Sequence, residues 1–166
     1  MYMFCENDKL YLRPLILKDS DFIYALREKN KNFILNYAEV SRNAQKEKIK
    51  NSISKDDEIY LLITLKATSS HIGYIHSKFF NNGKIADIDF VITDNNSKLI
   101  KEALILFRTE LFKQGCIRLE CNICSSNLLA KEILEDLNFN LEGIKKMSYF
   151  NNDNFFDILV FASLNC

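Results

Sequence analysis

The chain predicts an α/β fold: a mixed, mostly antiparallel central sheet of about seven strands flanked by about four helices, all in one domain over residues 1–166. Three observations predict it. Short alternating or β-branched segments run together before residue 93. Two broad apolar stripes at helical spacing, over 97–114 and 127–137, then interrupt the later strands. The 166 residues include one proline and four glycines, and no linker, repeat or low-complexity stretch divides them. A chain of this length builds one hydrophobic core.

Each element has a local reason. Lys9 to Leu15 alternates as a strand and is stopped by Pro14. Asp19 is placed to cap a helix reaching about Lys29, with Phe22, Ile23 and Leu26 on one face. The Lys- and Asn-rich stretch from Ala44 to Ser54 reads as a weaker, solvated helix. Glu58 to Lys66 and His71 to Phe80 are strands separated by Thr68-Ser69-Ser70. Asn81-Asn82-Gly83 tolerates positive φ and predicts a hairpin into the strand Lys84 to Thr93. Leu99, Ile100, Ala103, Leu104, Phe107 and Leu111 form the stripe of the long helix, which Gly115 ends. Ile117 to Ile123 is a buried strand and Asn127 to Leu137 a short helix. Phe139 to Phe150 and Phe155 to Leu164 close the chain as a hairpin around residues 151–154.

Composition excludes several classes. Gly73, Gly83, Gly115 and Gly143 are too scattered for a dinucleotide fingerprint or a phosphate loop. Lys plus Arg and Asp plus Glu both number 22, so the net charge is zero and no nucleic-acid partner is expected. No apolar run approaches the ~18 residues of a membrane span. The start lacks the basic-then-apolar order of a signal peptide. Five unevenly spaced cysteines fit reduced thiols, and the expected location is cytoplasmic. Cys121 and Cys124 form a CxxC, but on a strand such positions face opposite ways, which suits neither redox nor zinc chemistry. No metal is expected, since no His, Asp or Glu cluster shows ligand spacing.

Four stretches, in shared order, resemble the GNAT N-acetyltransferase superfamily and its branch acting on ribosomal-protein N-termini. They are Leu12-Arg13-Pro14-Leu15 with Asp19, Ile72-Gly73-Tyr74-Ile75, Ala86-Asp87-Ile88-Asp89, and Asn127-Leu128-Leu129-Ala130 running on to Phe139 and Glu142-Gly143. Phe156-Asp157 and Ser163-Leu164 are similar to the branch's last strand. The resemblance implies a GNAT-like sheet, acetyl-CoA as co-substrate, and transfer to a primary amine of a small molecule, amino sugar or peptide N-terminus.

The same resemblance distributes roles. Asp87 stands where the family's acidic base does, and Asp89 shares its strand face about 7 Å away. Two neighbouring carboxylates raise one pKa, which suits a base. Backbone amides near Val91 and Ile92 meet the oxyanion, and Asn127 contacts the cofactor arm or caps the next helix. The cofactor's pyrophosphate is held at the start of the long helix, over Asn95, Asn96, Ser97, Lys98, Leu99 and Ile100. Arg27, Asn30, Tyr74 and His76 fall on the acceptor side. The family's general-acid tyrosine is replaced by Leu134.

One departure bears on the cofactor. The family's phosphate loop reads Arg/Gln-x-x-Gly-x-Gly/Ala, and here its defining positions hold Asn95, Lys98 and Ile100. Glycine there admits phosphate close to the backbone, and a Cβ obstructs it. Three readings follow: an acetyl-CoA transferase with an altered loop, a GNAT-fold binding or regulatory module without acetyl-CoA, or a transferase using another acyl carrier. The edge of the closing hairpin is available to pair with a second copy as a homodimer.

Overall fold

A computed structural model describes residues 3–35, 37–93 and 96–165. Its elements run β1 (Cys5–Glu6), β2 (Leu10–Pro14), α1 (Ser20–Lys29), α2 (Arg42–Ile53), β3 (Glu58–Leu65), β4 (His71–Phe80) and β5 (Ile85–Ile92). They continue with α3 (Ser97–Lys113), β6 (Arg118–Cys124), α4 (Leu128–Asp136), β7 (Asn140–Asn151) and β8 (Asn154–Leu164). The predicted order is therefore present, with one addition. The two-residue β1 pairs with β2 and makes the sheet eight-stranded, in the order β1-β2-β3-β4-β5-β6-β8-β7. Cys5-Glu6 is too short to carry a period, so its strand character comes from its partner.

Every neighbouring pair is antiparallel except β5 and β6, which are parallel across the α3 crossover. The turns match their residues. Asn81, Asn82 and Gly83 have φ of 51°, 55° and 79°, and Asn152 and Asp153 have 48° and 58°. Gly115, at φ 92°, ends α3.

Both faces of the sheet are covered. Leu12, Ile63, Ile75, Ile88 and Phe161 pack under α3 and α4, against Phe107 and Ile133. On the other face, Leu62, Tyr74 and Val91 pack against Ile23 and Leu26 of α1 and Ile49 of α2. β7 is the outer edge strand and is mostly exposed; the homodimer expectation rests on that edge alone.

Asp19 does not act as the predicted cap. It closes a 3-10 turn (Leu17–Asp19) and makes no side-chain cap bond to α1. Its carboxylate instead takes a two-pronged bond from the buried Arg13 guanidinium, at 2.7 and 2.8 Å, and a third from the Ile16 amide at 2.9 Å. An ionised acceptor with a fork donor outcompetes a helix amide.

Candidate active site

The parallel pairing of β5 and β6 stops early. Ile85, Ala86 and Asp87 face Arg118, Leu119 and Glu120, and no pairs follow, although the strands continue to Ile92 and Cys124. Between the diverging ends lies a cavity of about 360 Å³. Asp89 to Ile92 line one wall, Cys121 to Ile123 the other, and Asn127 with the start of α4 one end. Asn30 and the 33–35 segment also line the cavity, and there the Tyr149 hydroxyl donates to the Ile34 carbonyl at 3.1 Å.

Ladder geometry assigns the free edge. The Thr93 amide donates to Ile72 at 2.8 Å, on the β4 side. Antiparallel alternation then turns the amides of Phe90 and Ile92 toward β6. Beyond Asp87 no β6 partner meets them, so they point into the gap. Val91 is oriented the other way, toward Tyr74. Of the two residues expected there, Ile92 thus turns its amide toward the gap and Val91 does not, while Phe90 does.

Gly73 shapes this region. A Cβ there would sit 2.4 Å from the Val91 carbonyl oxygen, so only glycine lets β4 approach β5 here. The contact lies where β5 leaves β6, and it holds the cavity wall in place.

The acidic pair lies at the fork. Asp87 sits opposite Lys78 and Glu120, and Asp89 opposite His76. Asp87's carboxyl is pushed above its ordinary range by the protein crowded around it, then by the charges of Glu120 and Asp89; Asn122 and His76 oppose the shift. Asp89 is about half exposed and belongs to the cavity wall. Asn122 was not foreseen. It lines the cavity beside Asp89, its Oδ1 is buried without a hydrogen-bond partner, and it touches Asp87. Its only signal in the sequence is that it shares the strand face of Glu120.

Other predicted residues divide. Asn30 and Asn127 line the cavity. Asn127 also caps α4, its Oδ1 accepting from the Ala130 amide at 3.1 Å. Tyr74 is fully buried and its hydroxyl accepts from the Arg27 guanidinium at 3.1 Å; neither residue lines the cavity. His76 lies on β4, the fourth of the eight strands in sheet order, between Asp89 and Glu58.

At the start of α3, the Ile100 side chain is 0% exposed and packs in the main core. The reason is periodicity: Ile100, Ala103, Leu104 and Phe107 share the buried stripe. Leu99 likewise packs against that core. Ile100 donates its amide to Asn96, and Asn96 donates its own side-chain amide to Thr93. The amides of Ser97, Lys98 and Leu99 are the first of the helix, the turn whose N–H groups an α-helix's own ladder does not use. Lys98 is exposed beside Glu102, whose carboxyl it helps to hold down. The Asn95 assignment lies outside the described residues.

The four cysteines among the described residues are unbridged, and Cys116, Cys121 and Cys124 are buried. Burial drives the Cys121 thiol well above its ordinary pKa, so it is no thiolate nucleophile. Among the described residues no cluster of three His, Cys, Asp or Glu is placed to hold a metal ion, and no helix is long and apolar enough to cross a membrane.

The sheet carries one parallel pair that splays beside a helix start. The comparison with solved structures makes this specific. An acetyltransferase from Salmonella typhimurium that modifies the N-terminal serine of a 50S ribosomal subunit protein superposes with a TM-score of 0.85, at 16% identity over 99% of this chain and 100% of that one. A microcin self-immunity acetyltransferase, solved with acetyl-CoA and AMP, gives 0.82 at 18% identity over 96% and 94%. Spermidine N-acetyltransferase from Vibrio cholerae, solved with CoA and spermine, gives 0.81 at 19% identity over 95% and 96%. No protein-family model matches the sequence, and no curated protein matches it. The chain has the GNAT acetyltransferase fold.

Proposed function

We propose that the protein is an acetyl-CoA-dependent N-acetyltransferase acting on a primary amine of a small molecule, amino sugar or peptide N-terminus. The observation that supports it most is the early end of the β5–β6 pairing, which leaves Phe90 and Ile92 amides facing a cavity that Asp89 lines, with the exposed Asp87 two residues before it on the same strand. The residues present fit acetyl-CoA. The free β5 edge offers hydrogen bonds to an extended amide-bearing arm, as an added strand would. The start of α3 offers amides and positive dipole to a diphosphate, with Ile100 withdrawn into the core. Lys98 adds a mobile positive charge where glycine stands in the family.

Bound acetyl-CoA supplies an acetyl thioester. Around it, the chain's own groups have separate tasks. Asp89, in the cavity wall, draws in the cationic amine. Asp87, with its raised pKa, accepts the amine's proton. The Phe90 and Ile92 amides stabilise negative charge growing on a carbonyl oxygen in the gap. Solved proteins of this fold act on an N-terminal serine or on spermidine, which supports an amine as acceptor.

Calorimetry with acetyl-CoA tests the reading. Saturable heat is expected below about 1 mM, the upper end of ordinary substrate affinities. Its absence would leave the module without acetyl-CoA and the transferase using another acyl carrier as the surviving descriptions. Lys98→Gly separates the two roles of that side chain: weaker binding marks a phosphate contact, and tighter binding marks an obstruction.

A further inference from the structure

Asp89, His76 and Glu58 form a line across three neighbouring strands. His76 faces Asp89 in the β4–β5 register, and it faces Tyr60, two residues beyond Glu58, in the β3–β4 register. Its Nδ1 lies 3.4 Å from Asp89 Oδ2 and its Nε2 lies 3.6 Å from Glu58 Oε2. Tyr60 stacks on the imidazole, centroids 4.0 Å apart and planes 20° apart, and so fixes the ring's plane. Both ring nitrogens are thereby aimed at carboxylates. Nε2 is buried and makes no hydrogen bond. Glu58 is itself anchored, through its other oxygen, by Lys55 at 2.8 Å.

The two carboxylates differ in what they face. Glu58 is 10% exposed and has its own cation. Asp89 is 49% exposed, lines the cavity, and has His76 as its ion-pair partner among the described residues. The other charged or titratable groups around the ring are Asp87 on β5, Lys78 and Tyr74 on β4, Tyr60 on β3, and Arg27 on α1. The imidazole is the one among them whose ordinary titration falls between pH 5 and 8.

We propose that His76 is a positioning residue for acceptor recognition, its ring charge deciding whether Asp89 is available to a cationic amine. This rests on the acetyltransferase reading of the cavity. As imidazolium, His76 pairs with Asp89 and Glu58 together, and Asp89 has little charge left for a ligand. As neutral imidazole, it releases Asp89 to pair with the ammonium of the acceptor. Acceptor affinity therefore rises with pH through the His76 titration, while acetyl-CoA affinity does not follow it.

Spermidine is a suitable probe, because its alkylamines stay protonated below about pH 8. Calorimetry at pH 5 and pH 8 is expected to show wild-type affinity tightening roughly five-fold, the scale of one partly exposed ion pair. His76→Gln is expected to bind equally at both pH values. A wild-type affinity flat with pH, an equal change in His76→Gln, or no spermidine binding at either pH overturns the proposal. Imidazole NMR gives a readout independent of turnover: Asp89→Asn and Glu58→Gln should each lower the pH at which His76 titrates, and a titration unmoved by both overturns it. Acetyl-CoA heat measured on the same samples separates the failures. Heat present with a flat spermidine profile sinks the role of His76 alone; heat absent sinks the transferase reading and this role with it.

Discussion

Arg13 and Asp19 are both about 95% buried, and their charges are compensated almost entirely by each other. Burial alone pushes the Asp19 carboxyl up, but the Arg13 bonds and the Ile16 amide outweigh it and hold it below its ordinary value. Breaking such a pair strands a buried guanidinium, so Asp19→Asn should cost about 3 kcal/mol in urea unfolding at pH 7. Because the folded pKa is depressed, this stabilisation is complete above the unfolded carboxyl's pKa of about 4 and is lost as pH falls through the folded value. The difference between wild type and Asp19→Asn should therefore shrink in acid; a constant difference down to pH 2 would contradict the pairing. Asp87 has the opposite sign. Its raised pKa means the folded state resists its ionisation, so wild type loses stability as pH climbs from the ordinary carboxyl range through the raised value. Asp87→Asn should be more stable than wild type at neutral pH and slower in kcat by roughly 100-fold, the usual contribution of a positioned base. The strand face of Asp87 was legible because it alternates with Ala86 and Ile88, whereas Asp19's partner was not, because a residue standing before a helix reads as a cap until the strand behind it is seen.

At the scale of elements, periodicity located the strands and helices to within a few residues, yet it did not say where pairing ends. β5 runs on as a strand from Ile85 to Ile92, although only its first three residues pair with β6. The parting of two strands is a property of twist and of what packs on each face, and no side-chain period encodes it. Its one local mark is Gly73, and that mark lies on a different strand from the gap. Gly73→Ala drives a Cβ against the Val91 carbonyl, and backbone has to move because no flexible side chain is there to yield. We expect a loss of about 1–3 kcal/mol, the range for an overpacked interior site, measurable by thermal melting. The displaced wall should also weaken acetyl-CoA binding. Gly143→Ala is the control: its Cβ meets nothing within 4 Å, so neither quantity should change appreciably. The start of α3 shows the same limit from another side. Aligning the loop placed Ile100 over the phosphate, but the helix's own stripe rotates it into the core and leaves Lys98 as the departure exposed to solvent.

For the whole molecule, the splayed sheet is a fold with one unfinished seam. On either side of it the sheet is bonded throughout, with β4 on β5 and β8 on β6. A ligand that completes the seam must then stabilise the entire domain, because it binds the folded state and not the unfolded chain. At a hundred times its Kd, acetyl-CoA should add about 2.7 kcal/mol. For a domain of this length that raises Tm by roughly 5–10 °C. Hydrogen exchange localises the effect. Ligand binding at the seam protects the Phe90 and Ile92 amides, which lack a β6 partner, by more than the global gain. The Thr93 amide, already bonded to Ile72, gains only the global share. Uniform protection across β5 would mean that the ligand stabilises the protein from somewhere other than the seam, and the two amides would then lose their assigned part in the chemistry.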